Sequence, residues 1–182
     1  MVLGYLMYDI LRMEDKMDDT AILNGKRILI VDDEEDVLAT VSDLLDMCEN
    51  DVAGNFDTAM KYMEENQYDL AIFDIMGVGG YDLLEQAKKK GIPAIMLTAH
   101  ALNPEAFEKS LKGGAKAYIP KEKMPDIASY ATELLQAHAK GIKRPGNWFS
   151  RLESFFERQF GTEWLANYKN AREKYPWLDF DE

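Results

Sequence analysis

Four apolar runs in this chain each end in a residue that can do chemistry. Arg27-Ile28-Leu29-Ile30-Val31 runs into the adjacent carboxylates Asp32 and Asp33. Ala71-Ile72-Phe73 ends in Asp74, Ala94-Ile95-Met96-Leu97 in Thr98, and Ala117-Tyr118-Ile119-Pro120 in Lys121. An acidic pair, a lone aspartate, a hydroxyl and an ammonium together form a set that can phosphorylate a carboxylate. The lone Asp74 is the expected nucleophile. Asp32 and Asp33 supply hard oxygen ligands for Mg²⁺, with Mn²⁺ as a substitute, and the cation neutralises phosphoryl charge. The Thr98 hydroxyl and the Lys121 ammonium suit the remaining phosphoryl oxygens.

These groups act together only if the fold brings them to one place. Apolar runs rich in Ile and Val read as buried parallel strands. The pattern predicts strands near 27–32, 50–54, 69–74, 93–98 and 116–119, and helices near 35–48, 57–66, 80–90, 103–112 and 125–140. Strands and helices in alternation imply a doubly wound α/β fold with right-handed crossovers. Ligands of such sheets sit at the carboxyl ends of strands, where all five candidate residues stand. Acids at such a place also cap helices, so the pair Asp32 and Asp33 gains meaning only from the other three. Helix punctuation agrees: Asn103-Pro104 offers a cap and a first-turn proline, while Lys90-Gly91 and Lys112-Gly113-Gly114 close helices. The weakest strand signal is Asp51-Val52-Ala53-Gly54.

With Asp32, Asp33, Asp74, Thr98 and Lys121 in this order on these strands, the chain resembles the receiver domain of two-component response regulators over about residues 26–140. The resemblance implies a five-stranded, flavodoxin-like parallel sheet ordered 2-1-3-4-5. It implies that Asp74 accepts phosphate from a sensor histidine kinase or a phosphotransfer protein. It implies a Mg²⁺ site made by Asp32, Asp33, Asp74 and the backbone carbonyl of Met76. Thr98 and Tyr118 match the hydroxyl and aromatic positions that reorient on phosphorylation. Two features depart from the family pattern. The loop after Asp74, Ile75-Met76-Gly77-Val78-Gly79-Gly80, lacks the usual proline and is rich in glycine, which predicts a mobile loop. Glu122, not proline, follows Lys121, which argues against the cis peptide usual there.

Composition bounds the rest. A chain of 182 residues with 47% hydrophobic and 30% charged content suits one ordinary globular core plus appendages. Of the net charge of −12, none lies in residues 141–182. There Lys143, Arg144, Arg151, Arg158, Lys169, Arg172 and Lys174 balance Glu153, Glu157, Glu163, Glu173, Asp179, Asp181 and Glu182. An acidic domain with a neutral tail offers no electrostatic footprint for nucleic acid. The single cysteine, Cys48, excludes an internal disulfide and, without a signal-peptide pattern, points to the cytoplasm. The apolar start Met1–Leu11 carries Asp9 and is too short to span a bilayer; residues 1–25 read as a leader, disordered or helical.

Residues 141–147 read as a linker and 148–182 as an amphipathic helical extension. Trp148, Phe149, Leu152, Phe155, Phe156 and Phe160 recur at helical spacing, with Asn147 as a cap. Gly161 interrupts the pattern. Thr162 is the expected cap of a second helix carrying Trp164, Leu165 and Tyr168, which Tyr175-Pro176-Trp177 ends. So short a segment does not hold a core of its own. Its aromatics need a surface: the chain's own receiver, a second copy in a homodimer, or another protein. His100 reads as a rim residue beside the site and His138 as a base favoured at a helix C-terminus.

The expected function is that of a stand-alone response regulator, phosphorylated on Asp74 and signalling through protein contacts. Its chemistry would be limited to self-phosphorylation and autodephosphorylation. The alternative is a degenerate receiver that binds proteins without phosphorylation, suggested by the missing loop proline and by Glu122. A dehalogenase-like phosphatase shares the chemistry, but it places its nucleophile after the first strand with a second acid two positions on, where Met76 stands here.

Overall fold

The computed structural model describes residues 20–99, 102–142 and 147–174. The leader up to residue 19, His100, linker residues 143–146 and the Tyr175-Pro176-Trp177 stop lie outside them. Five strands, β1 (Arg27–Val31), β2 (Glu49–Ala53), β3 (Leu70–Asp74), β4 (Ala94–Thr98) and β5 (Ala117–Pro120), form one parallel sheet. Their order is β2-β1-β3-β4-β5. The helices are α1 (Glu35–Leu44), α2 (Phe56–Glu65), α3 (Gly80–Lys89), α4 (Pro104–Lys112), α5 (Ile127–Ala139), α6 (Asn147–Phe160) and α7 (Thr162–Lys174).

The three inner strands and β5 are buried almost throughout, which is why their sequences lack polar alternation. β2 is an edge strand in which only Ala53 is buried and Val52 is exposed. An edge strand tolerates polar residues, so its sequence signal was faint, and it begins at Glu49 rather than at residue 50. The core runs as one cluster from Leu23 through the sheet to Leu165 in α7. Leu23 belongs to a short 3₁₀ turn, Thr20–Leu23, that packs on α5, so the core starts ahead of the expected boundary at residue 26.

Two helix ends differ from the sequence expectation for identifiable reasons. α1 stops at Leu44 instead of continuing to residue 48. The Asn50 side chain donates to the carbonyls of Ser42 (3.2 Å) and Leu45 (2.9 Å), satisfying the groups that a further turn would have used. α5 starts at Ile127, because a 3₁₀ turn over Lys121–Asp126, which contains Pro125, precedes it. The caps at Asn55 and Asn103 are local: each side chain accepts from the N–H three residues on, at 2.9 and 2.8 Å.

The extension packs on the receiver of its own chain. Trp148, Phe149, Leu152, Phe155 and Phe156 of α6 are buried, against Phe107 of α4 and Tyr118 of β5 among others. Asn147 is not a cap ahead of the helix but its first residue. The N–H groups of Asn147 and Trp148 both donate to Glu133 Oε1 of α5, at 2.6 and 3.0 Å, so a side chain from another helix supplies the cap. Arg151 then lies over the Tyr130 ring at 4.0 Å and donates to Ser129 Oγ at 2.7 Å.

Candidate functional site

Parallel strands end on the same side of the sheet, and that geometry gathers the candidate residues. Asp32 follows β1, Asp74 ends β3, Thr98 ends β4, and Lys121 follows β5. In the ladder Asp74 faces Leu97 and Thr98 faces Pro120, so the four positions form one band across the sheet. Asp32, Asp74 and Thr98 are buried polar residues in an otherwise apolar interior. Such burial costs free energy unless partners are present.

The partners are short-range and specific. Asp32 Oδ1 accepts from the Glu34 N–H at 3.0 Å, and Asp74 Oδ2 from the Met76 N–H at 2.7 Å. Lys121 Nζ lies 2.8 Å from Asp32 Oδ2 and 3.4 Å from Asp74 Oδ1. It also lies 2.7 Å from Glu34 Oε1. The Lys121 side chain is 10% exposed, so this is a buried charge network with one partner, Glu34, at its solvent edge. Glu34 was not singled out from sequence. The signal for it was its place in the acid run, but that run cannot show which acid meets Lys121.

Electrostatics follow from this arrangement. Burial raises the pKa of Asp74; the Lys121 charge opposes that rise and the Asp32 charge adds to it, leaving Asp74 above the ordinary carboxylate range. Burial likewise raises Asp32, against hydrogen bonds from Lys121 and the Glu34 N–H. For Lys121 burial works against the charge, but hydrogen bonds to Asp32 and Glu34 and the fields of Asp74 and Asp32 outweigh it. Its pKa is held above the ordinary lysine value. The site is thus two crowded acids sharing one firmly protonated base.

The loop after β3 shapes the mouth of the site. Gly77 has φ +78°, and a Cβ there would lie 2.3 Å from Asp33 Oδ2, so the exposed Asp33 carboxylate rests against the loop backbone. A Cβ at Gly80 would lie 2.0 Å from the Asp74 carbonyl oxygen. Gly80 therefore permits a backbone approach that a side chain would block, while Gly77 is favoured by its left-handed backbone. No cis peptide bond occurs among the described residues.

Among the described residues no three acidic, histidine or cysteine side chains already converge as a cation site, and Lys121 engages both buried carboxylates. The donor set nonetheless suits a hard divalent cation, being all oxygen. Among the described residues, the buried Asp32 Oδ2 has the Lys121 ammonium as its close partner, at 2.8 Å. Asp33 lies on the loop that follows Asp74. The Met76 carbonyl accepts from the Val78 N–H at 2.9 Å and keeps a second lone pair. Tyr118 is fully buried behind this band, edge-on to Phe107 at 5.3 Å. Among the described residues, no helix is long and apolar enough to cross a membrane.

Comparison with known proteins gives a consistent result. The family model of the response regulator receiver domain matches residues 28–137. The two-component response regulator ARR10 of Arabidopsis thaliana is 35% identical over 104 residues, 53% of this chain and 19% of that protein. The transcriptional regulatory protein DesR of Bacillus subtilis is 31% identical over 101 residues, 52% of this chain and 50% of that protein. The match thus spans half or less of these relatives' length. A CheY-like receiver domain protein from Methanospirillum hungatei superposes with a TM-score of 0.60 at 34% identity, covering 65% of this chain and 99% of that one. With the same strand order, and with the family model spanning well over half of its residues, this chain belongs to the response regulator receiver domain family.

Proposed function

We propose that this receiver accepts a phosphoryl group on Asp74 from a sensor histidine kinase or a phosphotransfer protein, and that the modified state is read through protein contacts. The observation that carries the reading is the buried Asp74 carboxylate, held within ion-pair reach of Lys121 at the end of β3 and flanked by Asp32 and Thr98. An Asp74 carboxylate oxygen would attack the phosphorus of a phosphohistidine. The new P–O bond replaces the P–N bond, and the imidazole leaves with a proton. Attack of water on the same phosphorus would later release inorganic phosphate and restore the carboxylate. Lys121 would neutralise one phosphoryl oxygen and Thr98 would donate to another. Asp32, Asp33, Asp74 and the Met76 carbonyl would hold Mg²⁺ (or Mn²⁺), which supplies further charge neutralisation. Beyond this self-modification and its hydrolysis no catalysis on a separate substrate is proposed.

A second reading has one specific observation in its favour. Lys121 already pairs with Asp32, Asp74 and Glu34, and that closed network suits a receiver that binds partners without being phosphorylated. One experiment separates the two. Intact mass after incubation with phosphoramidate and Mg²⁺ should show one added phosphoryl in the wild type and none in Asp74→Asn. No added mass in the wild type would favour the second reading, and equal labelling of both proteins would remove Asp74 as the acceptor.

A further inference from the structure

The end of the sheet away from Asp74 carries a cavity with a chemistry of its own. Its volume is about 300 Å³, at the lower limit of small-molecule sites. Pro93 and Lys116, which precede β4 and β5, stand on its wall. It therefore lies at the amino ends of the strands, whereas Asp74, Thr98 and Lys121 stand at their carboxyl ends. Helix closures build it. α3, α4 and α5 each end in the same reversal around a left-handed glycine: Gly91 at φ +72°, Gly114 at +101° and Gly141 at +65°. Gly91 N–H returns to the Lys88 carbonyl and Ile92 N–H to that of Ala87. Gly114 and Ala115 return in the same way to Leu111 and Ser110, and Gly141 and Ile142 to His138 and Ala137. The backbone thus satisfies these carbonyls itself, and side chains at the helix ends are left for other partners.

Lysines gather at these closures in a chain whose net charge is −12. They divide into two sets. Lys89 and Lys112 pair with Glu85 and Glu108 one turn back, on exposed helix faces. Lys88 and Lys116, with His138, line the cavity, and among the described residues no carboxylate lines it. The helix dipole by itself favours a base at Lys88 and at His138, but Lys116 stands between α4 and β5, outside any helix. Lys88 is also held in place. A Cβ at Gly114 would lie 3.0 Å from Lys88 Cδ, so the stem of Lys88 rests on the bare glycine of the loop that leads to Lys116. The rest of the wall is apolar: Ile92 and Pro93 are buried, and Ile142 is an exposed large hydrophobic residue.

We propose that this cavity binds a small phosphate monoester with an apolar or ring-shaped body, of the size of a nucleoside monophosphate. Lys88 and Lys116 bring ammonium donors to the phosphate, and His138 brings a ring N–H. Ile92, Pro93 and Ile142 cover the body of the ligand, as apolar walls do in small-molecule sites. Cations on one side of a concave wall and apolar residues on the other suit such a molecule better than a flat anionic surface. A flat surface would meet the outward Lys89 and Lys112 first. The site stands at the far end of the sheet from Asp74 and does not depend on the chemistry proposed there.

The test is an NMR titration of the isotope-labelled full chain, in buffer without divalent metal, with adenosine monophosphate, adenosine and inorganic phosphate in turn. The nucleotide should shift the amides of Gly91, Gly114 and Gly141 along one saturable curve. Adenosine and phosphate each lack one half of the contacts and should bind at least about tenfold more weakly. Lys88→Gln and Lys116→Gln should each weaken nucleotide binding about tenfold, the loss of one charge-assisted hydrogen bond. Lys61→Gln, on the exposed face of α2, should leave it unchanged. No saturable shift at millimolar nucleotide overturns the proposal, and so does an unaltered affinity in both cavity variants. Phosphate binding as tightly as the nucleotide overturns the role of the apolar wall. Sedimentation with phosphatidate vesicles in the absence of nucleotide binding would assign the lysines to a membrane surface and overturn the small-molecule site.

Discussion

Lys121 Nζ and Asp32 Oδ2 lie 2.8 Å apart although 89 residues separate them in sequence. The same ammonium is the counter-charge of Asp74, and both acids are buried. Replacing it by a neutral side chain of similar shape leaves two carboxylates in the interior without a cation. Lys121→Met is therefore expected to lose about 3 kcal/mol of stability at neutral pH without divalent metal. Urea unfolding checks this: the midpoint should fall at an unchanged slope, and an unaltered midpoint would mean that the network contributes nothing.

Gly80→Ala should be far more damaging than Gly91→Ala. At Gly80 an added Cβ meets the Asp74 carbonyl oxygen at 2.0 Å, and neither backbone can yield without displacing the end of β3. Overpacking of this kind costs about 3 kcal/mol. At Gly91 φ is +72° and nothing lies within 4 Å, so only the left-handed strain of about 1 kcal/mol applies. Thermal unfolding of the two variants side by side gives the comparison, and equal losses would refute the steric account.

Asp69 gives a pH signature at the opposite end of the sheet. Its carboxylate accepts from Lys26 Nζ at 2.8 Å and from the Arg27 N–H at 2.9 Å. Burial alone would raise its pKa, but these hydrogen bonds and the Lys26 charge outweigh burial and hold it below the ordinary value of 3.8. A depressed acid stabilises the fold above its unfolded pKa and stops doing so as pH falls through the folded one. Asp69→Asn should thus be less stable than wild type at neutral pH. Because the pair is about one-third exposed, the deficit should be below about 1 kcal/mol. The gap should close below pH 3.8. A gap that stays constant down to acid pH would show that charge is not its source.

Cys48 should react slowly in the native protein. Burial, then the nearby Asp46 and Asp69, push its thiol up to about 11, and its Sγ donates to the Leu23 carbonyl at 3.3 Å. At pH 8 roughly one molecule in a thousand is then thiolate, so alkylation by iodoacetamide should be on the order of a hundredfold slower than in urea. Equal rates in both conditions would place Cys48 at the open surface.

The sequence by itself determined the class of fold, the order of its elements and the residues of the candidate site. Short apolar runs, each containing Ile, that end in Asp32, Asp74, Thr98 and Lys121 carry that information locally, because burial on both faces demands apolar residues and strand ends do not. The cap at Asn103 is local in the same sense, closing within three residues. Tertiary structure decided what depends on distant partners. Asn50 reaches back from the edge strand to stop α1, and Glu34 is drawn to Lys121 from 87 residues away. Glu133 caps α6 in place of Asn147. The aromatic periodicity of the extension showed that its face must be covered, but three surfaces could have covered it. Apolar attraction has no direction, and only the packed position of Phe107 beside Tyr118 selected the receiver of the same chain.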